Sequence, residues 1–156
     1  MKVTQTPAAA WPVGQIVCPL TARTSSGAIR ELAQCFTSVP GVLDLPALVE
    51  AVESRENLAR TYLGGGVAMP HARTDAVERL LIAVGVSQEG LDWGMPNEFA
   101  RLVFLVGVPR DEDSGYMAMV RRITQTVRHL DWIERAVACR DASALASLLE
   151  STIPAA

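Results

Sequence analysis

The sequence predicts an α/β fold, a single domain whose sheet is flanked by helices on both faces. Two observations carry this. The runs "LLIAVGV" (80–86) and "LVFLVGV" (102–108) are apolar at nearly every position, with no alternation. Strands that read this way are buried on both faces, as central strands of α/β sheets are. Helical patterns lie both before and after these runs, enough to cover the two faces. The 156 residues are 49% hydrophobic, which suits one domain with a substantial core.

Taken in chain order, residues 1–14 hold Pro7, Pro12 and Gly14 among small residues and are expected to form a flexible N-terminal arm. The folded domain is expected over 15–153. "QIVCPL" reads as a short strand ending at Pro19. Ser25 and Ser26 are placed to cap a helix carrying Ile29, Leu32, Ala33 and Phe36. "VPG" (39–41) breaks the chain. Asp44 then caps a second helix, with Pro46 in its first turn and Leu45, Leu48, Val49 and Val52 on one face. "SQEGLDWGMPNEFA" between the two apolar runs reads as loop, with a short edge strand at 91–93. After "PRDEDSG" a long helix is expected, with Tyr116, Val120, Ile123, Val127 and Leu130 on one side. "DWIERAVAC" and "DASALASLLE" give two more short helices, each with an aspartate near its start.

Net charge is −3, and no basic stripe stands out, so nucleic acid is not an expected partner. No apolar run is long enough for a signal peptide or a membrane span. Cys18, Cys35 and Cys139 are odd in number and lie far apart. They read as reduced thiols of a cytoplasmic protein. Two histidines and no CxxC pair leave a structural metal centre short of ligands.

The densest chemistry lies in "GGGVAMPHAR" (64–73). Gly64, Gly65 and Gly66 allow close backbone approach to a ligand, and their amides can form an anion nest. Val67, Ala68 and Met69 read as a short buried strand. Pro70 fixes its own φ and holds Met69 extended, which puts His71 just past a strand end. Arg73 adds a permanently charged planar group suited to phosphate or carboxylate. An imidazole so placed can serve as a nucleophile, a general base or a metal ligand. Phosphoryl transfer needs donors around three equatorial oxygens, and glycine amides plus arginine answer that need. No GxSxG elbow accompanies the histidine, which weakens a hydrolase reading.

The longer run "RENLARTYLGGGVAMPHAR" (55–73) resembles the active-site segment of enzyme IIA domains of the mannitol–fructose class in the bacterial phosphoenolpyruvate-dependent sugar phosphotransferase system, a class that includes nitrogen-regulatory members. Arg55-Glu56, Thr61-Tyr62-Leu63, the glycine turn and Ala68-Met69-Pro70-His71 carry the likeness. It continues in "EGLDWG", "ARLVFLVGVP" and "LASLLE" and covers roughly 15–150.

The resemblance implies a mixed sheet of about five strands. It implies that His71 accepts a phosphoryl group from an HPr-like phosphocarrier and passes it to a IIB partner, or holds it as a regulatory mark, with no cofactor. Arg55 matches the arginine near the phosphohistidine. Thr61 is assigned to the catalytic group with it, and Gly64, Gly65, Gly66, Arg73 and Tyr116 to phosphate binding. Two departures stand out. Tyr116 in "SGYMAMV" stands where the family commonly has a second histidine, which implies slower transfer or a longer-lived phosphohistidine. Arg60 replaces the serine before Thr61. The Tyr116 departure motivates an alternative, a degenerate regulatory module that binds a transporter or kinase without efficient transfer. Met69, Met117 and Met119 are weighed as a docking surface against plain core filling. Asp75 is weighed as a group orienting the His71 ring.

Overall fold

A computed structural model describes residues 11–112 and 114–153. Eleven elements follow in order: β1 (Ile16–Val17), α1 (Ser25–Ala33), α2 (Leu45–Leu58), β2 (Tyr62–Gly64), β3 (Val67–Ala68), β4 (His71–Arg73), β5 (Leu81–Asp92), β6 (Phe99–Val108), α3 (Ser114–Val127), α4 (Leu130–Ala138) and α5 (Ala142–Thr152). The strands form one sheet in the order β1-β5-β6-β3-β2, with β4 also pairing β6. Pairs β5–β6 and β2–β3 are antiparallel, whereas β1–β5, β3–β6 and β4–β6 are parallel. The sheet is mixed, as expected, and has six strands rather than five.

The two apolar runs lie at the centre, as β5 and β6. Their side chains alternate between two cores. Val84, Val86, Leu102, Phe104 and Val106 face α3, α4 and α5. Ala83, Val103 and Leu105 face α1 and α2. Each fully buried Leu or Phe adds about 1.5–3 kcal/mol, so the absence of alternation in the sequence reflects the two helix layers.

Local choices agree with this layering. Asp44 accepts the Ala47 N–H at 3.0 Å, and Asp141 accepts the Ala144 N–H at 2.8 Å; both are side-chain N-caps. At α1 the cap is Thr24, which accepts from Gly27 N–H at 3.1 Å, and not Ser25 or Ser26. The stretch read as loop after Val86 is largely strand. The ladder shifts register between Val86 and Leu91 and then resumes, with Gly90 at φ +92° within the irregularity. A bulge of this kind absorbs polar, turn-rich residues without ending the strand. The long helix stops at Val127, and Leu130 begins α4 with its side chain 68% exposed. Of the expected arm, residues 1–10 lie outside the described residues. Trp11 is buried, and its indole N–H donates to the Ile153 carbonyl at 2.7 Å.

Candidate functional site

The strand β4 builds the site. It pairs with β6 through His71–Val106, Ala72–Gly107 and Arg73–Val108. His71 lies just past the end of β3, as expected, and is also the first residue of a further strand, β4, which the sequence pattern does not predict. Pro70 explains the break before it. Proline donates no N–H to a ladder, yet its carbonyl still accepts the Val106 N–H at 3.0 Å. The sheet therefore holds the backbone on which the ring stands.

A cleft of about 460 Å³ opens beside His71, lined by Ala51, Ser54, Arg55, Leu58, Ala72, Arg73 and Tyr116. Helix α2 supplies the first four and α3 supplies Tyr116. The half-buried imidazole has its Nδ1 2.9 Å from the Met69 carbonyl oxygen. A carbonyl only accepts, so Nδ1 carries the hydrogen and the neutral ring keeps its lone pair on Nε2. The His71 and Tyr116 rings lie 5.7 Å apart, tilted by 36°.

Two guanidinium groups frame this ring pair. Arg73 lies 5.5 Å from the Tyr116 ring centroid and donates to the Glu112 carbonyl. Arg55, in the last turn of α2, donates to the Ala59 carbonyl at 3.0 Å. A cation there complements the exposed carbonyls of a helix end. Among the described residues neither arginine pairs with a carboxylate. At an effective dielectric near 20, opposite unit charges about 4 Å apart attract by about 4 kcal/mol, against about 1 kcal/mol for a neutral hydrogen bond. The arginines therefore dominate the electrostatics of the cleft. Burial pushes the Tyr116 phenol above its ordinary pKa, and the Arg73 and Arg55 charges pull it partly back. At neutral pH it remains an O–H donor.

The structure thus brings together His71, Arg55, Arg73 and Tyr116. It does not bring the triple glycine to them. Gly64, Gly65 and Gly66 have φ of +95°, +63° and +91° and form the bend between β2 and β3. The Gly66 carbonyl accepts from Arg101 N–H, whereas His71 pairs with Val106. Five residues of β6, about 16 Å at the strand rise, separate the two. The Gly66 amide is itself engaged, donating to the Tyr62 hydroxyl at 2.8 Å. The expected anion nest at His71 is not formed by these glycines.

Thr61 also has another partner. Its N–H and hydroxyl both donate to the buried Glu56 carboxylate, so neither is directed to the cleft. Asp75 pairs with Arg110 at 3.1 Å on the surface and does not orient the ring. Met69 is buried core, Met119 packs against that core, and only Met117, 51% exposed, presents an apolar surface.

Sequence reasoning missed Ala51, Ser54 and Leu58. Their signal was present: with Arg55 they fall at helical i, i+3, i+4 and i+7 spacing, a second stripe beside the buried face of α2. Leu58 is 84% exposed, a bare apolar rim to the cleft.

Comparisons with known proteins agree with this architecture. The family model described as phosphoenolpyruvate-dependent sugar phosphotransferase system, EIIA 2, matches residues 12–152. The fructose-specific EIIA component of the phosphotransferase system from Haloferax volcanii is 32% identical over 113 residues, covering 72% of this chain and 73% of that protein. A nitrogen regulatory protein from Bradyrhizobium diazoefficiens is 28% identical over 145 residues, covering 88% and 94%. Among solved structures, the complex of enzyme IIA mannitol with phosphorylated enzyme IIB mannitol from Escherichia coli matches with a TM-score of 0.77 at 24% identity, covering 90% of this chain and 96% of that one. At that identity the structural match speaks for the fold alone. Fold, motif run and the family match over 12–152 agree: the chain belongs to the EIIA 2 family of the phosphoenolpyruvate-dependent sugar phosphotransferase system.

Proposed function

We propose that His71 is the phosphoryl acceptor of this EIIA domain and that Nε2 is the atom that bonds to phosphorus. The Nδ1–H donated to the Met69 carbonyl supports the reading most directly, because it leaves Nε2 as the ring's nucleophile. The donor is an HPr-like protein carrying a phosphohistidine. The bond from phosphorus to the donor's ring nitrogen breaks as the bond to Nε2 forms, and the donor ring takes back its electron pair. Arg55 and Arg73 meet the charge on the equatorial oxygens, and the Tyr116 hydroxyl donates to one of them. The group then passes to a IIB domain, the kind of partner seen with phosphate in the mannitol complex. Exposed Leu58 and Met117 give a partner apolar surface beside the ring. No described helix is long and apolar enough to cross a membrane, and the relay is assigned to the cytoplasm.

Incubation with phosphoenolpyruvate, the first enzyme of the cascade and HPr should add about 80 Da per chain. The gain should disappear in His71→Ala. A wild-type chain that stays unmodified under conditions that phosphorylate another EIIA domain would overturn the reading.

A regulatory reading is favoured by Tyr116 in place of a second histidine and by the likeness to a nitrogen regulatory protein. In that reading phospho-His71 changes affinity for a transporter or kinase. Capture of such a partner that is indifferent to His71→Ala and His71→Asp would favour a binding module that does not need the phosphoryl group.

A further inference from the structure

Glu56 carries an acidic side chain, is only 4% exposed, and has no part in the proposed transfer. Burying a carboxylate is costly unless donors satisfy its oxygens. Here three do. The Thr61 N–H reaches Oε2 at 2.9 Å, the Trp93 indole N–H reaches Oε2 at 3.0 Å, and the Thr61 hydroxyl donates to Oε1. No cation among the described residues pairs with it. The carboxylate thus ties the end of α2 to the segment before β2 and to the residue after β5.

From Thr61 the links continue to the reacting ring. The Thr61 carbonyl accepts the Met69 N–H at 2.9 Å. The Met69 carbonyl accepts the His71 Nδ1–H at 2.9 Å. On its other side this segment is held by the Pro70 carbonyl on Val106. The position of the Met69 carbonyl is therefore set from two directions, one by the central strand and one by Glu56 through Thr61.

We infer that Glu56 is a positioning residue, which acts through Thr61 and Met69 to hold the His71 imidazole in the Nδ1–H tautomer with Nε2 bare. This rests on Nε2 being the phosphoryl acceptor. No proton travels along the links; each fixes the place of the next residue. Glu56→Gln tests it with little change of shape. One amide oxygen cannot satisfy three donors as a carboxylate does, and the amide's own N–H groups then face donors.

The experiment is long-range proton–nitrogen spectroscopy of the full chain labelled at histidine nitrogen, beside phosphorylation kinetics with HPr. In wild type His71 should show the Nδ1–H tautomer. In Glu56→Gln it should shift toward Nε2–H, and the maximal phosphorylation rate should fall about tenfold, with the half-saturating HPr concentration unchanged. Thr61→Val, which removes the hydroxyl donor, should move both readouts the same way by less, and Thr61→Ser should restore them. A folded Glu56→Gln chain with the wild-type tautomer and rate would overturn the inference, as would a loss confined to half-saturation. If Glu56→Gln does not fold, the Thr61 pair decides on the same criteria. The tautomer is read without any phosphoryl donor. Failure of wild type to take phosphate therefore counts against the transfer reading, while the spectra still decide the positioning claim.

Discussion

The glycine bend at 64–66 and the cleft at His71 lie a few residues apart in the chain and about 16 Å apart along β6. Each has a tyrosine, and the two are used differently. At the bend, the Tyr62 hydroxyl accepts the Gly66 N–H and donates to Glu98 at 3.1 Å. At the cleft, the Tyr116 ring lies near both the His71 imidazole and the Arg73 guanidinium. The bend's polar groups are engaged within the fold, while in the cleft, among the described residues, two cations have no carboxylate partner. A run of motif residues that looks like one site is thus divided by strand register into a turn that shapes the sheet and a surface that carries the proposed chemistry.

Substitutions can break or sharpen this contrast. The largest effect is expected from Arg55→Ala, which should slow phosphorylation about 100-fold, the usual loss on removing a preorganised charge-stabilising donor. Its thermal midpoint should move little, since among the described residues its one hydrogen bond is to the Ala59 carbonyl. Gly65→Ala should do the opposite. At φ +63°, and with Ile133 Cδ1 3.4 Å from the added carbon, it should cost about 1–2 kcal/mol in a denaturant melt and leave the transfer rate of the folded chain unchanged. Slower transfer in that variant would return the bend to the site. The smallest effects are expected from the tyrosines. Tyr116→Phe should slow transfer about tenfold, the lower end of what a hydrogen bond to a charged acceptor contributes, whereas Tyr62→Phe should lower stability and spare the rate. Burial raises both phenols above their ordinary pKa. A proton held more tightly in the folded state stabilises it below the unfolded phenol value of about 10, and that contribution is lost as pH rises through the folded value. Alkaline melts should show wild type losing stability relative to either phenylalanine variant.

Much of this was legible in the residues. The unalternating runs at 80–86 and 102–108 announced buried central strands, because two helix layers leave no face for polar residues. His71 stood out through Pro70 and Arg73. What the chain did not show was anything set by register. The glycines lie far from the ring because β3 and β4 take different stations on β6, and no local pattern encodes that. Thr61 turned away from the cleft because a buried carboxylate five residues earlier claims both its donors. The strand through Gly90 was hidden by a bulge whose residues look like a turn. Tyr116 entered through the family likeness, since nothing in the helix pattern separates it from a core position.

The cation Arg55 stands on α2 and packs with one helix layer, Tyr116 stands on α3 with the other, and His71 rides the sheet between them. The proposed reactive constellation is therefore an interlayer assembly that exists only while both halves of the molecule are docked. A state in which one layer loosens is expected to lose the proposed phosphoryl uptake before it loses most of its secondary structure. Phosphoryl uptake should consequently report on intactness of the whole domain more sharply than helix content does.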